Sequence, residues 1–397
     1  MTNSNMRALR ILHVTPYFTG AWAYGGIPRL THCLVRGLAE RGHEITVCTT
    51  DACGADRLTS RANGSPRVAV RTFPNLSNRL AYRWQLFLPS GLDAFLKANA
   101  ASFDVAHLHA CRNLPGVMAS RHLRRARVPY VLAPNGTALR IERRHLAKRA
   151  FDAAGGRGVL RHADRMLAVS QAEKRQFEQL AVPESKVRVI PNPVDVSDFA
   201  PLPPRGEFRR QYGLSGGPLV LFLGQLTPRK RTDILARACA RLRRNDLQLV
   251  IAGNDMGAGA GLRNLIRDLD LESATTFTGL VQGRDRAAAL VDADVVVYPS
   301  QHEVFGLVAV EALLCGSPVI VGNDSGCGEV VASLGGGRAV PVGDVDALAA
   351  AIADVLADPA AWRTAAVAAG ARARHEFNEQ VVCKALEDVY LEMAAAG

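Results

Sequence analysis

Short apolar runs rich in β-branched residues alternate with helix-length amphipathic stretches along almost the whole chain, and this alternation limits the folds open to it. Parallel strands that helices cover on both faces lose their polar alternation, so such runs predict buried strands. In the first half, the predicted strands are 11–14, 45–49, 68–73, 105–108, 130–133, 166–169 and 187–190. Helical stretches such as 29–41 separate them, which predicts a doubly wound α/β sheet.

A proline- and glycine-rich stretch interrupts the alternation near the middle of the chain, at residues 191–218. Such residues cannot continue a helix or a central strand. The alternation then restarts, with predicted strands at 219–223, 248–252, 275–278, 295–298, 318–321 and 339–341. We therefore predict an α/β domain over 1–192, a linker over 193–217, a second α/β domain over 218–375, and a C-terminal helix over 376–397 that packs back toward the first domain.

Composition narrows the class of protein. The 397 residues include 48 Lys+Arg against 37 Asp+Glu, a formal net charge of +11, and 48% are hydrophobic. These values fit a globular protein of about two or three domains and exclude a disordered chain. The eight cysteines show no two-residue spacing typical of a zinc or redox site. We expect a cytoplasmic protein without an export signal or a membrane span.

The stretch from Tyr298 to Pro318 runs from a predicted strand, through a loop carrying Glu303, into a helix that opens near Gly306 and carries Glu311. Loop N–H groups and the positive end of the helix favour an anionic ligand, and two carboxylates beside it can accept hydrogen bonds from hydroxyl groups. A solvated loop glutamate and a surface helix glutamate are the alternative interpretation. However, Glu311 stands in an apolar helix, where a carboxylate needs a partner.

This stretch resembles the signature of the retaining group 1 glycosyltransferases (glycosyltransferase family four), which place two Rossmann-like domains face to face across a cleft in the GT-B fold. The signature has two glutamates separated by seven residues with Phe-Gly between them, as in Glu303, Phe305-Gly306 and Glu311. The resemblance implies that Glu303 contacts the donor sugar and that Glu311 holds the nucleotide ribose. It also implies that the backbone of Phe305, Gly306 and Leu307 lines the donor.

A second matching stretch, Gly224 to Arg231, follows the first predicted strand of the second domain. A leaving nucleoside diphosphate needs fixed cations, because negative charge develops as the glycosidic bond breaks. Lys230 and Arg229 are the predicted cations, with Gln225 beside the donor. The family usually has Arg where Gln225 stands and Gly where Arg231 stands. Either Arg229 or Arg231 therefore replaces the usual cation, or the site is weakened.

The first domain offers a glycine-containing loop and a histidine. Gly25 and Gly26 follow the first predicted strand, and Pro28 suits the first turn of the next helix. They match the family's donor loop, although a plain turn would also explain them. His109, at the end of a strand, matches the catalytic-cleft histidine of the family, whereas His107 is expected in the core.

Further positions come from the same resemblance. Asn135 and Thr137 stand where the family often has His-Gly-Thr, and the Asn in place of His leaves its role open. With Arg140, these two residues are the candidates expected on the acceptor side. Gly253 and Val281 follow strands of the second domain and are expected to flank the base. The Asp-x-Asp sequence at residues 292–294 copies a metal–diphosphate motif, but directly before a buried strand we interpret it as a helix end.

The resemblance implies sugar transfer, with retention of configuration, from a nucleotide diphosphate sugar to a saccharide, lipid-linked or other hydroxyl acceptor. A UDP-sugar is the favoured donor, and the role is expected in surface polysaccharide, glycolipid or glycoconjugate synthesis. No metal and no cofactor are expected. The alternatives are a GT-B nucleotide-sugar epimerase and, from charge alone, a nucleic-acid-binding protein. A dehydrogenase would need Gly-x-Gly-x-x-Gly after the first strand, which residues 15–28 lack.

The positive charge is concentrated in the first half. Residues 1–200 hold 29 basic and 14 acidic residues, a net charge of +15, whereas residues 201–397 hold 19 and 23, a net charge of −4. Between Arg121 and Arg149, nine basic residues accompany one acid, Glu142. A solvated helix face is one interpretation. The other is a surface for a phosphate-bearing acceptor or an anionic membrane, with the protein peripheral on its cytoplasmic face.

Overall fold

The computed structural model describes residues 7–53, 56–57, 65–139, 149–214 and 216–396. The chain forms two compact units, one made of Met1–Pro193 with Glu379–Gly397 and the other of Val194–Asn378. Each unit contains a parallel sheet with helices between its strands. The predicted fold class is therefore confirmed. Among the described residues, no helix combines the length and apolar character needed to cross a bilayer.

The first unit is built on a seven-stranded parallel sheet in the order β5-β2-β1-β6-β7-β8-β9. Its strands are β1 (Arg10–Val14), β2 (Glu44–Thr50), β5 (Val68–Phe73), β6 (Val105–His109), β7 (Tyr130–Ala133), β8 (Arg165–Ala168) and β9 (Val187–Val189), while β3 (Ala52–Cys53) and β4 (Asp56–Arg57) form a separate antiparallel pair. Its helices are α1 (Ile27–Glu40), α2 (Asn78–Trp84), α3 (Leu92–Asn99), α4 (Leu114–Ala126), α5 (Arg157–Arg161), α6 (Gln171–Gln179) and the C-terminal α15 (Glu379–Ala396).

Successive residues of the central strands enter cores on opposite faces of this sheet. Leu12 packs in one apolar cluster with Leu108 and Leu132, whereas its neighbour Ile11 packs in the other with Val131. Helices cover both faces, so β6 and β7 are buried along their whole length and apolar residues occupy most of their positions. The strand pattern in the sequence is the direct result of this double coverage.

Helix α15 belongs to the first unit because buried carboxylates fix it there. Glu387, 0% exposed, accepts a hydrogen bond from Arg41 at 2.5 Å and contacts His43 Nε2 at 2.9 Å. Glu379 accepts a hydrogen bond from the Cys33 thiol at 3.2 Å. The close approach of α15 to α1 requires glycine at position 37, where a Cβ would lie 2.7 Å from the Cys383 sulfur.

The second unit is built on a six-stranded parallel sheet in the order β12-β11-β10-β13-β14-β15. Its strands are β10 (Leu219–Leu223), β11 (Gln248–Ala252), β12 (Thr275–Gly279), β13 (Val295–Tyr298), β14 (Val319–Gly322) and β15 (Gly337–Val340). Its helices are α7 (Glu207–Gln211), α8 (Thr232–Leu242), α9 (Gly259–Asp268), α10 (Gly283–Asp292), α11 (Leu307–Leu314), α12 (Gly326–Leu334), α13 (Val345–Ala357) and α14 (Pro359–Glu376). This 3-2-1-4-5-6 order is that of the Rossmann fold, and strand order reverses between β10 and β13.

The predicted linker over 193–217 is not an independent segment, because from Val194 onward the chain belongs to the second unit. Phe208 of α7 is fully buried there. The Asp292 carboxylate accepts hydrogen bonds from the backbone N–H groups of Gly206 and Arg209, and Asp294 pairs with Arg209 at 2.8 Å. The Asp-x-Asp pair at 292–294 therefore holds α7 against the sheet. Proline and glycine content marked an irregular segment but could not show what it packs against.

Candidate functional site

The loops that follow β10 and β13 leave the same edge of the second sheet, because these two strands are parallel neighbours. Strand order reverses between them, and ligands of doubly wound sheets bind outside the carboxyl ends of the strands at such a point. The loop after β10 carries Lys230 and the loop after β13 carries Glu303. The two stretches singled out in the sequence therefore meet at the position where this fold binds ligands.

Lys230, Glu303 and Tyr298 form a compact polar group at this edge. Lys230 Nζ lies 2.5 Å from Glu303 Oε2 and also donates to the Tyr298 hydroxyl, which lies 3.2 Å from the same carboxylate oxygen. The Lys230 side chain is 8% exposed and that of Glu303 is 17% exposed. The ammonium group also lies 4.4 Å from the centre of the Tyr298 ring. A fixed cation and a fixed carboxylate thus stand side by side.

The charges of this group depend on one another. Burial alone would raise the pKa of Glu303, but the positive charges of Lys230 and Arg229 bring that pKa below its usual value. Burial lowers the pKa of Lys230, and Glu303 opposes this shift. We assign the ionised form to both groups, since each compensates the charge of the other. Glu303 is therefore a hydrogen-bond acceptor rather than an acid.

Local backbone geometry brings Lys230 to Glu303. Lys230 ends a 3-10 turn, Pro228–Lys230, and Arg231 takes a left-handed conformation with φ 48° before α8 begins. The backbone N–H of Gln301 donates to the Arg229 carbonyl at 2.9 Å, which ties the two loops together. The position of the lysine is thus set by backbone contacts and not by the ion pair alone.

A third loop, which precedes α12, holds the Glu303 loop from the other side. Asp324 accepts hydrogen bonds from the backbone N–H of His302 at 3.0 and 3.1 Å, and the Cys327 N–H donates to the Glu303 carbonyl at 2.8 Å. Gly306, with φ 78°, caps α11 at this point. A Cβ there would lie 2.3 Å from the Cys327 sulfur, so only glycine fits between the loops.

The partner that Glu311 needs is Arg286, a residue that sequence reasoning missed. Arg286 in the first turn of α10 forms an ion pair with Glu311 in the second turn of α11, and the two side chains are 8% and 5% exposed. The pair lies beneath the edge that carries Lys230 and Glu303, because both helices begin at the carboxyl ends of strands. An arginine in a helix that precedes β13 gave no signal of its own in the sequence.

The structure separates the two arginines that were alternatives for the cation missing at Gln225. Both guanidinium nitrogens of Arg231 that face Asp233 lie 3.1 Å from its carboxylate. Arg229 instead lies 3.5 Å from the His302 carbonyl, and its charge contributes to the lowered pKa of Glu303. Arg229 thus belongs to the Lys230–Glu303 group, whereas Arg231 is paired with Asp233 in the first turn of α8.

The other predicted site residues of the second unit contribute mainly backbone atoms to this edge. Phe305 is 2% exposed and its ring packs against Phe377 at 5.2 Å, so its side chain is part of the core. Val281 is likewise buried. Gly253 follows β11, and a Cβ at this position would lie 1.8 Å from the Gly224 carbonyl oxygen. Gly253 is therefore required for the close approach of adjacent loops, while Leu307 is half-buried at the start of α11.

In the first unit, His109 lies in a buried histidine stack. His13 on β1 and His107 on β6 are register partners, and His13 Nδ1 lies 3.0 Å from His109 Nε2. The other His109 nitrogen faces the Thr31 hydroxyl at 3.5 Å, and His107 Nδ1 lies 2.6 Å from the Tyr390 hydroxyl. Burial lowers the pKa of all three, to about 3 for His13. Both nitrogens of His109 thus face other side chains of this unit.

Among the described residues, these three histidines are the one group that could hold a metal ion. The way their rings stack decides whether they can do so. The His107 and His109 rings lie 4.1 Å apart with an 8° angle between their planes, and His13 and His109 differ by 25°. An imidazole ligates an ion in its own ring plane, so near-parallel stacked rings do not converge on one ion. We interpret the stack as a packed, neutral cluster.

The loop after β7, which carries Asn135 and Thr137, is held from below by a residue that sequence reasoning did not single out. Glu173, fully buried, accepts hydrogen bonds from the backbone N–H of Gly136 at 2.7 Å and of Val169 at 2.9 Å. Burial raises its pKa to about 7. Asn135 takes a left-handed conformation with φ 51°, and the Thr137 hydroxyl donates to the Pro134 carbonyl at 2.6 Å. Thr137 thus stabilises the turn itself.

A capping signal could have identified Glu173. Ser170 caps α6 by accepting the Glu173 N–H, and serine followed three residues later by glutamate is the sequence pattern of a capping box. Arg112 adds a second clamp, because its guanidinium donates to the carbonyls of Thr137 at 2.7 Å and of Ala138 at 3.0 Å. Arg140 lies outside the described residues.

The glycine loop after β1 leads into α1 through a turn at Gly25. Gly25 has φ 94°, in the left-handed region, and Gly26 caps α1. Pro28 lies in the first turn of that helix. Tyr24, just before the glycines, stacks on Tyr17 with ring centres 4.8 Å apart. The loop is therefore a shaped turn on an aromatic support.

The basic stretch from Arg121 to Arg149 divides in the structure. At its start, residues 121–127 include four exposed arginines, which lie at the C-terminal end of α4 and just beyond it. A helix that follows a parallel strand runs from the carboxyl edge to the amino edge of the sheet. These arginines therefore lie toward the edge opposite the glycine loop, which supports the solvated-face interpretation. Residues 140–148 lie outside the described part of the chain.

Comparisons with known proteins agree with this architecture. Residues 204–375 match the model of the Glycosyl transferases group 1 family, and residues 24–198 match Glycosyltransferase Family 4. The D-inositol 3-phosphate glycosyltransferase of Kineococcus radiotolerans is 31% identical over 413 residues, covering 96% of this chain and 94% of that protein. A GDP-mannose-dependent phosphatidylinositol monomannoside mannosyltransferase of Mycolicibacterium smegmatis is 35% identical over 226 residues, 54% of this chain and 57% of that protein.

Solved structures share the fold at lower sequence identity. Sucrose-phosphate synthase from Thermosynechococcus elongatus superposes with a TM-score of 0.77 at 23% identity, covering 98% of this chain and 100% of that one. Anabaena HepE in complex with UDP-glucose gives a TM-score of 0.75 at 23% identity, covering 97% and 100%. Two Rossmann-like units, paired glutamates at the switch point and a relative spanning nearly the whole chain lead to one conclusion: this protein belongs to the group 1 glycosyltransferases of glycosyltransferase family four.

Proposed function

We propose that this glycosyltransferase cleaves a UDP-sugar at the Lys230–Glu303 group and transfers the sugar to a hydroxyl acceptor, with retention of configuration and without a metal ion. The observation that carries the proposal is the Lys230 ammonium held 2.5 Å from the Glu303 carboxylate at the switch point of the second sheet. This arrangement offers a cation to a diphosphate and an acceptor to sugar hydroxyls within one group of side chains.

In the proposed reaction, the bond between the anomeric carbon and the diphosphate oxygen breaks while the acceptor oxygen bonds to the same face of that carbon. The acceptor proton passes to the departing phosphate oxygen. Negative charge grows on the diphosphate, and Lys230 and Arg229 stabilise it as fixed cations. These two cations do the work that a divalent ion performs in metal-dependent transferases.

Glu303 acts in this scheme as an ionised acceptor that orients the sugar. Its pKa lies below the usual value because of Lys230 and Arg229, so it remains a carboxylate at neutral pH. Glu311 is proposed to accept hydrogen bonds from the ribose hydroxyls, and Arg286 keeps its buried carboxylate charged. Backbone at Gly253 and at Phe305–Leu307 is proposed to line the nucleotide and donor.

The donor base and the acceptor are inferred from the relatives and from the charge of the chain. Anabaena HepE was solved with UDP-glucose, whereas the mycobacterial relative is GDP-mannose-dependent, and we favour UDP. The names of two relatives contain an inositol phosphate and a phosphatidylinositol mannoside, both of which carry phosphate. A net charge of +15 in the first half of the chain suits an acceptor of this kind, in glycolipid, polysaccharide or glycoconjugate synthesis.

A thermal-shift panel of UDP, GDP and dTDP in the presence of EDTA tests this proposal, because a ligand that binds the folded state raises the melting temperature. We expect UDP to give the largest shift and Lys230→Met to abolish it. Asp246→Asn, on an exposed surface pair with Arg244, is the matched control and keeps the wild-type shift. A larger shift with GDP would correct the donor base, and a shift that needs Mg²⁺ would contradict the metal-free site.

A further inference from the structure

The segment from Asn75 to Pro89, here called the 75–89 loop, exposes large apolar side chains that the fold does not need at the surface. Leu76 is 73% exposed, Leu80 42%, Trp84 52% and Leu86 43%. These four are close neighbours in sequence, whereas the other exposed large apolar residues of the described chain are scattered. A patch of this kind on a folded protein marks an interaction surface.

Hydrogen bonds hold the 75–89 loop firmly on the fold beneath it. Its ends are tied by an isolated bridge between Asn75 and Pro89, and the Leu76 N–H donates to the Leu88 carbonyl at 3.1 Å. Asp51, Asn75 and Asn78 form a buried hydrogen-bonded network beneath it, with Asn75 N 2.8 Å from Asp51 Oδ1. The apolar residues are thus presented by a rigid base.

The underside of the loop packs on the support of the glycine loop. Phe87 is 3% exposed and lies 5.5 Å from the Tyr17 ring, and Tyr82 meets Tyr24 edge-on at 5.7 Å. Ala81 is fully buried on the same side. Helix α2 therefore buries Ala81 against this support and exposes two apolar side chains, Leu80 and Trp84, on its other side.

The charge around the patch identifies its partner. Residues 75–92 contain two charged residues, Arg79 and Arg83, and no acidic residue. Arg79 and Arg83 are exposed on α2 itself, interleaved with Leu80 and Trp84. Leucine and tryptophan with flanking arginine is the composition of helices that lie in the interface of a bilayer with anionic lipids. A protein partner with an acidic face would not need the apolar side chains, and a purely apolar partner would not need the arginines.

We propose that the 75–89 loop docks this protein on an anionic lipid bilayer, with Leu76, Leu80, Trp84 and Leu86 inserted at the headgroup level and Arg79 and Arg83 at the lipid phosphates. The docked surface lies at the carboxyl edge of the first sheet, beside Gly25. A lipid-linked acceptor in that bilayer would therefore be presented at the edge where the glycine loop lies.

Vesicle sedimentation of the full chain tests the proposal. The probes are vesicles of phosphatidylcholine alone and of phosphatidylcholine mixed equally with phosphatidylglycerol. We expect the wild type to sediment with the mixed vesicles and not with phosphatidylcholine, and Leu80→Ser/Trp84→Ser to lower the bound fraction on the order of tenfold. Arg79→Glu/Arg83→Glu removes the dependence on phosphatidylglycerol. The control Leu202→Ser/Val367→Ser removes exposed apolar residues of the second unit, 39% and 57% exposed, and keeps wild-type binding.

Two readouts separate lost docking from lost folding. All of the substituted side chains are exposed, so each variant is expected to keep the wild-type melting temperature and its UDP shift. Trp84 fluorescence shifts to the blue on mixed vesicles, and the shift disappears in Trp84→Phe while sedimentation persists. The proposal is overturned if the folded Leu80→Ser/Trp84→Ser variant binds as the wild type does, or if the wild type ignores phosphatidylglycerol. A dimer in solution that this variant dissociates would show that a second copy covers the patch, and would overturn it as well.

Discussion

Arg286 and Glu311 form an ion pair inside the second unit, between the first turn of α10 and the second turn of α11. Removing one member of a buried pair leaves the other as an uncompensated charge. The stability of this unit therefore depends on Glu311, the carboxylate that we propose binds the ribose hydroxyls.

Arg286→Met is expected to lower the free energy of unfolding by about 3 kcal/mol or more, because Glu311 then stays buried without a partner. Urea unfolding measures this loss. The double variant Arg286→Met/Glu311→Met is expected to be more stable than Arg286→Met alone, yet to bind UDP no better. A single variant as stable as the wild type would show that the pair does not exist in solution.

Arg229 and Arg231 provide a matched comparison two positions apart. Arg229→Ala is expected to weaken UDP binding by about tenfold or more, since it removes a charged donor from the diphosphate. Arg231→Ala is expected to leave UDP affinity near the wild-type value, because Arg231 is paired with Asp233. Titration calorimetry in EDTA measures both. The reverse order of effects would assign the missing cation to Arg231.

Glu173 predicts a pH dependence of stability. Its pKa in the folded chain is raised to about 7 from 4.5, so between these values the unfolded chain releases a proton that the folded chain keeps. The free energy of unfolding therefore falls as the pH rises through this window, by up to about 3 kcal/mol from this group alone. Urea unfolding of the wild type and of Glu173→Gln across the window measures the effect. We expect the variant to lack this part of the slope, and equal slopes would contradict the assignment.

The histidine stack predicts an absence of titration near neutral pH. Burial lowers the pKa of His13 to about 3 and holds those of His107 and His109 well below 6.5. All three rings are therefore expected to be neutral at neutral pH, and the pH profile of transfer should show no step from His109 near pH 6.5. Nitrogen-15 NMR of labelled histidine measures the protonation states directly. A stack member that titrates near 6.5 would show that the cluster opens to water.

Much of the fold was predictable because buried parallel strands leave an unambiguous pattern. Each predicted strand has a counterpart in the structure, and Leu219–Leu223 has the predicted bounds. The short pair β3 and β4 was missed because two-residue strands carry no periodicity. The segment 193–217 was misread because composition shows where regular structure stops, while the burial of Phe208 depends on helices far away in sequence.

The candidate site was predictable where it depends on the order of the elements along the chain. Chain order placed Lys230 and Glu303 after strands, and the strand order then brought them together. The sequence also showed that Glu311 needs a partner, but Arg286 is 25 positions away, and only the packing of α10 on α11 identifies it. For the same reason the pairing of His13 with His109 required the register of β1 against β6. Contacts between elements depend on packing geometry, which a single sequence does not encode locally.

The anomeric configuration of the released sugar tests the central claim most directly. The protein is incubated with a panel of UDP-, GDP- and dTDP-sugars in EDTA, and the anomeric proton of the first product, from transfer or from slow hydrolysis, is followed by NMR. We predict cleavage of a UDP-sugar with the donor's configuration retained, and a loss of more than about tenfold in Lys230→Ala and Glu303→Ala. An inverted product, or cleavage only when Mg²⁺ is restored, would contradict the account.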